Sequence, residues 1–249
     1  MQRYFVEATY QPTVSLTGEA YHHIVHVMRM KSPEKIFVVF SDGISVVAEI
    51  VEITENQVLA KELYKEEQAK ELPIDITIAS GYPKGDKLEW IVQKGTELGA
   101  AQFIGFPAKT SVVKWDEKKI VKKQQRLTKI AQEAAEQAQR QIVPEIQLFS
   151  KTEDIFKRLA DYDLILVAYE ESAKMGEQSH LVQAFQQAVA GQKVLAIFGP
   201  EGGLAPAEIE KFTAAGGILC GLGPRILRTE TAPLYLLSAA SFYFELKGE

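Results

Sequence analysis

From Ile74 to the C-terminus, six short apolar runs alternate with six stretches of helical period, and this alternation constrains the fold more than any other feature of the chain. The runs are Ile74 to Ala79, Ala101 to Phe106, Glu145 to Phe149, Asp163 to Ala168, Lys193 to Phe198 and Gly217 to Leu222. Helices are expected near 87 to 98, 117 to 139, 152 to 160, 179 to 190, 206 to 215 and 230 to 246. Strands that are apolar throughout and separated by helices belong to a mostly parallel sheet covered on both faces. The expected class is therefore α/β. Asp86 with Glu89 reads as a capping box opening the first of these helices, and Gly99 closes it.

The first third obeys a different rule. From Arg3 to about Tyr64, β-branched and aromatic runs at Ile36 to Phe40, Val46 to Ile53 and Val58 to Leu63 are separated by the turn-forming Asp42-Gly43 and Glu55-Asn56. A small β-barrel is expected. One helix interrupts it near Gly18 and sets Tyr21, Ile24, Val25 and Met28 on a core-facing stripe. The polar stretch Lys65 to Pro73 reads as a linker, which divides the chain into domains over 1–70 and 71–249.

Composition narrows the functional classes. A single cysteine, Cys220, excludes an internal disulfide and a thiolate metal cluster, and it fits a reducing compartment. The N-terminal residues lack the apolar core of a signal peptide and no apolar run approaches the roughly 20 residues of a membrane span, so a cytoplasmic protein with no membrane partner is expected. A net charge of -5 argues against a nucleic-acid binder basic over its whole surface. Between Lys109 and Lys129, however, eight Lys or Arg residues face only Asp116 and Glu117. That stripe either neutralises phosphates or is a solvated helix face. His22 and His26 have the i, i+4 spacing of a zinc pair, but the sequence offers neither the glutamate of HExxH nor a third ligand. No metal is expected, and the imidazoles read as surface or RNA-facing groups.

Two loops carry the chemistry. Phe198-Gly199-Pro200-Glu201-Gly202-Gly203 and Leu222-Gly223-Pro224-Arg225-Ile226-Leu227-Arg228-Thr229-Glu230-Thr231-Ala232 each follow an apolar strand and lead into a helix. Loops at the carboxyl ends of parallel strands are where such sheets bind ligands, and glycine lets backbone approach a small molecule closely. Neither loop has the lysine and hydroxyl of a phosphate-binding Walker loop, and Gly221-Leu222-Gly223 lacks the third glycine of a dinucleotide fingerprint. No Gly-x-Ser-x-Gly elbow occurs. A site poor in titratable groups suits a cofactor that brings its own reactive centre, and S-adenosylmethionine is one.

At these loops the chain resembles the RsmE family of SPOUT-class methyltransferases. The likeness extends over Arg3-Tyr4-Phe5-Val6, His22 to Lys31, Asp42-Gly43, Pro83-Lys84-Gly85-Asp86, Glu97-Leu98-Gly99, Glu133 to Gln137, Arg140 and Val143-Pro144. The resemblance implies an N-terminal PUA-like RNA-binding barrel, a C-terminal SPOUT-type parallel sheet with a trefoil knot, a homodimer, and methylation of uridine N3 in 16S ribosomal RNA of the small subunit. By motif match, S-adenosylmethionine would meet Phe198, Gly199, Glu201, Gly202, Leu222, Gly223, Ile226, Leu227 and Arg228, with Ala168-Tyr169-Glu170 forming a third wall. Arg228 and Arg140 are the candidates for stabilising the uridine anion. Glu201 is a proton acceptor or a helix cap. Arg3, His22, Arg29, Lys84 and Lys114 are expected to contact RNA. Thr110 and Ala138 depart from the family pattern, which has arginine and a small hydroxyl residue there. A tRNA methyltransferase and a noncatalytic RNA-binding assembly factor are the competing readings.

Overall fold

The computed structural model describes residues 1–169 and 180–246. The chain divides into two compact units, one of 1–71 with 135–142 and the other of 72–134 with 143–249.

In the first unit, five strands form one sheet: β1 (Arg3–Phe5), β2 (Thr13–Leu16), β3 (Lys35–Val39), β4 (Ser45–Ile53) and β5 (Val58–Lys65), in the order β1-β3-β4-β5-β2. The pair β1 and β3 is parallel and the other pairs are antiparallel. Register shifts in β4 near Val47 and near Ile50 bend it, as bulges do. The expected barrel is thus a curled half-barrel whose edges are β1 and β2. Its concave side is filled by Tyr4, Leu16, Ile36, Val38, Ala48 and Val58, among others. Helix α1 (Gly18–His22) continues as a π turn over His23–Val27. A π turn takes more residues than the 3.6 of an α-helix, so a stripe counted at α-helical spacing drifts. Ile24 is buried as expected, but Met28 is exposed.

The second unit contains β6 (Asp75–Gly81), β7 (Gln102–Phe106), β8 (Glu145–Leu148), β9 (Leu164–Ala168), β10 (Lys193–Phe198) and β11 (Ile218–Cys220). They form a wholly parallel sheet in the order β11-β9-β10-β6-β7-β8. The described helices are α2 (Lys87–Glu97), α3 (Glu117–Gln137), whose last three residues count with the first unit, α4 (Glu153–Arg158), α5 (His180–Gln187), α6 (Pro206–Ala214) and α7 (Thr231–Ser241). Alternation along the strands splits the core in two. Ile76, Ile78, Val194, Ala196 and Phe198 pack with residues of α2, α3, α5 and α7. Ala79, Ile104, Leu195 and Ile197 pack with Ile155 of α4 and with Ile209 and Phe212 of α6. Both faces are covered, as apolar strands require.

One local expectation needs correction. Asp86 precedes α2, but its side chain makes no cap bond, and Glu89 is drawn instead to Lys123 and Arg126. The capping box is not formed. Gly99 does end the helix, with φ of 92°. Among the described residues, no helix is long and apolar enough to cross a membrane.

Candidate functional site

The strand order places the carboxyl ends of β9 and β10 side by side, with β11 at the edge beyond β9. A cavity of about 460 Å³ opens there, within the 300–1,000 Å³ range of small-molecule sites. Among the described residues, three chain segments line it. Ala168 and Tyr169 come from the end of β9; Glu170 of the same expected wall lies outside the described residues. The loop after β10 contributes Phe198, Gly199, Glu201 and Gly202. The loop after β11 contributes Leu222, Gly223, Ile226 and Leu227.

Arg228 is not part of this lining. Its side chain is exposed between Leu227 and Thr229, both of which do line the cavity, and its carbonyl accepts the N–H groups of Thr231 and Ala232 at the start of α7. The lining arginine is Arg225, which sequence reasoning passed over together with Leu204 and Ala232. All but Leu204 belong to the same run that flagged the site, so position alone was the available signal.

The loop after β10 is shaped by contact. A Cβ on Gly199 would lie 2.6 Å from the carbonyl carbon of Gly203 and 2.8 Å from the nitrogen of Leu204, both backbone atoms that cannot step aside. Only glycine permits so tight a turn. Lys84 donates its backbone N–H to Glu201 Oε1 at 3.1 Å, and Lys87 Nζ donates to the same oxygen at 2.9 Å. Burial pushes the Glu201 carboxyl up, but the bonds from Lys87, the backbone and Lys84 prevail and hold it below the usual carboxylate range. Glu201 is an anchored anion. It does not cap the following helix. That task falls to the buried Glu208, whose Oε2 accepts from the Ala205 N–H at 2.8 Å while Oε1 accepts from the Lys109 N–H at 2.9 Å.

The remaining sequence candidates separate into two groups. His22, Arg29, Lys84 and Lys114 are exposed. Arg3 and Arg140 are buried in the first unit. The Arg3 guanidinium gives Glu66 bonds of 2.8 and 2.9 Å, reaches Ser45 Oγ at 3.1 Å and lies 4.5 Å from the Phe37 ring centre. A phosphate contact does not fit that placement. Arg140 pairs with Glu71, whose other oxygen accepts the N–H groups of Gln141 and Ile142. It organises a turn of the first unit. Among the described residues, no three His, Cys, Asp or Glu side chains gather where a metal ion could be held.

A family model for an RNA methyltransferase domain matches residues 70–241, and one for an RNA methyltransferase PUA domain matches 16–63. Ribosomal RNA small subunit methyltransferase E of Bacillus subtilis (strain 168) is 51% identical over 251 residues, covering 99% of this chain and 98% of that one. A Legionella pneumophila protein solved in complex with the cofactor SAM superposes with a TM-score of 0.81 at 29% identity, covering 96% of each chain. The fold is also that of ribosomal RNA small subunit methyltransferase E from Neisseria gonorrhoeae, with a TM-score of 0.83 at 24% identity and 98% of each chain covered.

Proposed function

The chain belongs to the family of ribosomal RNA small subunit methyltransferase E, and from that premise we propose that it transfers a methyl group from S-adenosylmethionine to N3 of a uridine in 16S ribosomal RNA. The observation that carries the reading is the cavity at the ends of β9 and β10, floored by a glycine turn that admits no Cβ at Gly199. Its size and backbone-rich wall fit this cofactor. Ala168, Tyr169, Phe198, Gly199, Glu201, Gly202, Leu222, Gly223, Ile226 and Leu227 would hold it. The cofactor supplies an activated methyl on a sulfonium, so alignment with the nucleophile is what the protein must add.

Uridine N3 is a poor nucleophile until its proton leaves. Glu201, with its carboxyl held low by Lys87 and Lys84, is a poor acceptor for that proton. The exposed guanidinium of Arg228, between two lining residues, is the group we assign to stabilising the uridinate. A fixed cation favours the charged form of a nearby base without taking its proton. Arg140 serves by holding its turn against Glu71. Because N3 lies on the Watson-Crick edge, the target nucleotide must be unpaired or extruded. His22, Arg29, Lys84, Lys114 and the exposed Lys118, Lys119 and Lys122 of α3 are the surface we assign to its phosphates.

The same reading includes the two domains over 1–70 and 71–249, the knot and the homodimer, with the work done in the cytoplasm where ribosomes are assembled. Exposed Tyr235 of α7 and Phe242 and Leu246 just after it give a second copy apolar side chains to cover. Calorimetry with S-adenosylmethionine tests the cavity. Transfer of a labelled methyl to 16S ribosomal RNA, with mass spectrometry of the product nucleoside, tests the substrate. Label appearing in tRNA, or at another atom of the base, would replace the substrate named here.

A further inference from the structure

We propose that Lys87 is a positioning residue for the cofactor cavity, its ammonium bridging Glu201 of one lining loop and Glu230 of the other and so fixing the distance between them. The inference rests on the assignment of that cavity to S-adenosylmethionine.

Lys87 is the first residue of α2, a helix that lies against α7 and contributes Leu88, Ile91 and Val92 to the core. Its backbone is therefore fixed. From there Nζ reaches Glu201 Oε1 at 2.9 Å and Glu230 Oε2 at 3.4 Å. The two acids come from different loops: Glu201 sits in the glycine turn after β10, and Glu230 ends the loop after β11, next to the lining residue Thr229.

The partners depend on Lys87 unequally. Glu201 also accepts from the Lys84 N–H, so it stays anchored without the ammonium. Among the described residues, Glu230 Oε2 is buried and accepts no hydrogen bond of good geometry, and Lys87 is the cation within ion-pair distance of it. Placing Glu230 just before α7 is favourable for an anion in itself. Without the ammonium, however, two carboxylates would face each other across the gap, and like charges separate. The loop after β11, with Leu222, Gly223, Ile226 and Leu227, would then drift from the loop after β10. A half-exposed pair contributes little as an isolated contact. Its effect here is to order both walls before the cofactor arrives, which reduces the ordering cost of binding.

Calorimetry on the full-length protein separates the outcomes. Lys87→Met keeps the stem and removes the charge, and should weaken S-adenosylmethionine about fivefold, whereas Lys87→Arg should remain within about twofold. In turnover the loss should appear in KM for the cofactor more than in kcat. The double variant Lys87→Met/Glu230→Gln removes the repulsion and should recover part of the lost affinity, a rescue that a purely structural lysine would not allow. Wild-type affinity in Lys87→Met, or a double variant no tighter than the single one, overturns the bridge while leaving the cofactor assignment intact. No heat from the folded wild type overturns both. Should Lys87→Met fail to fold, Glu230→Gln carries the test: about two- to threefold weaker binding is expected, and unchanged binding refutes the proposal.

Discussion

Thr110 Oγ1 donates to the carbonyl oxygen of Gly203, tying the loop after β7 to the glycine turn after β10. The two segments are so close that a Cβ on Gly202 would lie 3.0 Å from the Thr110 Cβ. Thr110→Val keeps the shape and deletes the donor, so stability should fall by about 1 kcal/mol and cofactor affinity by about threefold, with Thr110→Ser restoring both. Thermal unfolding and calorimetry read the two effects, and a valine variant equal to wild type in both would show that the bond contributes nothing.

The buried pair of Arg3 and Glu66 predicts an acid-sensitive first unit. Burial pushes the Glu66 carboxyl up, but hydrogen bonds from Ser45, Arg3 and Gln141 together with the Arg3 charge leave it below its ordinary value of 4.5. A carboxyl lowered in the folded state stabilises above its unfolded pKa, and that stability disappears as pH falls through the folded value. Glu66→Gln leaves the guanidinium buried without its counter-charge and should cost about 3 kcal/mol at neutral pH. The gap between variant and wild type should close as unfolding is repeated at progressively lower pH below the ordinary carboxylate value. A gap that stays constant with pH would mean the charge of Glu66 is not what stabilises.

The alternation of apolar runs was enough to read the parallel sheet and its two covered faces, because period-two burial is a local property of each strand. Charged side chains were less legible. Arg3 and Arg140 look like phosphate or catalytic groups until Glu66 and Glu71 arrive from 63 and 69 positions away in sequence. Glu89 was read as a cap because its partners, Lys123 and Arg126, lie on α3. Met28 left the core because a π turn breaks the 3.6 count. Within the loop after β11, glycines marked the cavity, but nothing local distinguished Arg225, which lines it, from Arg228, which does not. Side-chain direction in a loop is set by tertiary contacts that no spacing encodes.

Those same contacts sort the basic stripe. Lys123 and Arg126 are paired with Glu89 at 3.2 and 2.7 Å, whereas Lys118, Lys119 and Lys122 on α3 are exposed and form no ion pair among the described residues. If α3 meets RNA, replacing one of these three by alanine should flatten the plot of log affinity against log salt by about 0.7 to 0.9, the share of one phosphate. Arg126→Ala should change the slope less, since Glu89 already offsets its charge. Filter binding or fluorescence titration over a salt series, using a small-subunit RNA fragment, measures both. Equal slopes for all four variants and wild type would remove α3 from the RNA surface.

Arg228 yields the sharpest test of the chemistry. If its guanidinium acts by favouring the uridinate, Arg228→Ala should lower kcat about a hundred- to a thousandfold near neutral pH with cofactor saturating, as loss of one group stabilising a developing charge typically does. The same account fixes the pH dependence. Alkali removes the N3 proton without help, so the deficit of the variant should narrow as pH rises towards the range where uridine ionises by itself. Arg225→Ala, by contrast, removes a lining side chain and should raise KM for the cofactor, with no narrowing at high pH. Single-turnover methyl transfer over a pH series distinguishes the two arginines. Near-normal turnover by Arg228→Ala, or a deficit of the same size at every pH, would assign Arg228 to holding the RNA and leave the developing anion to another donor.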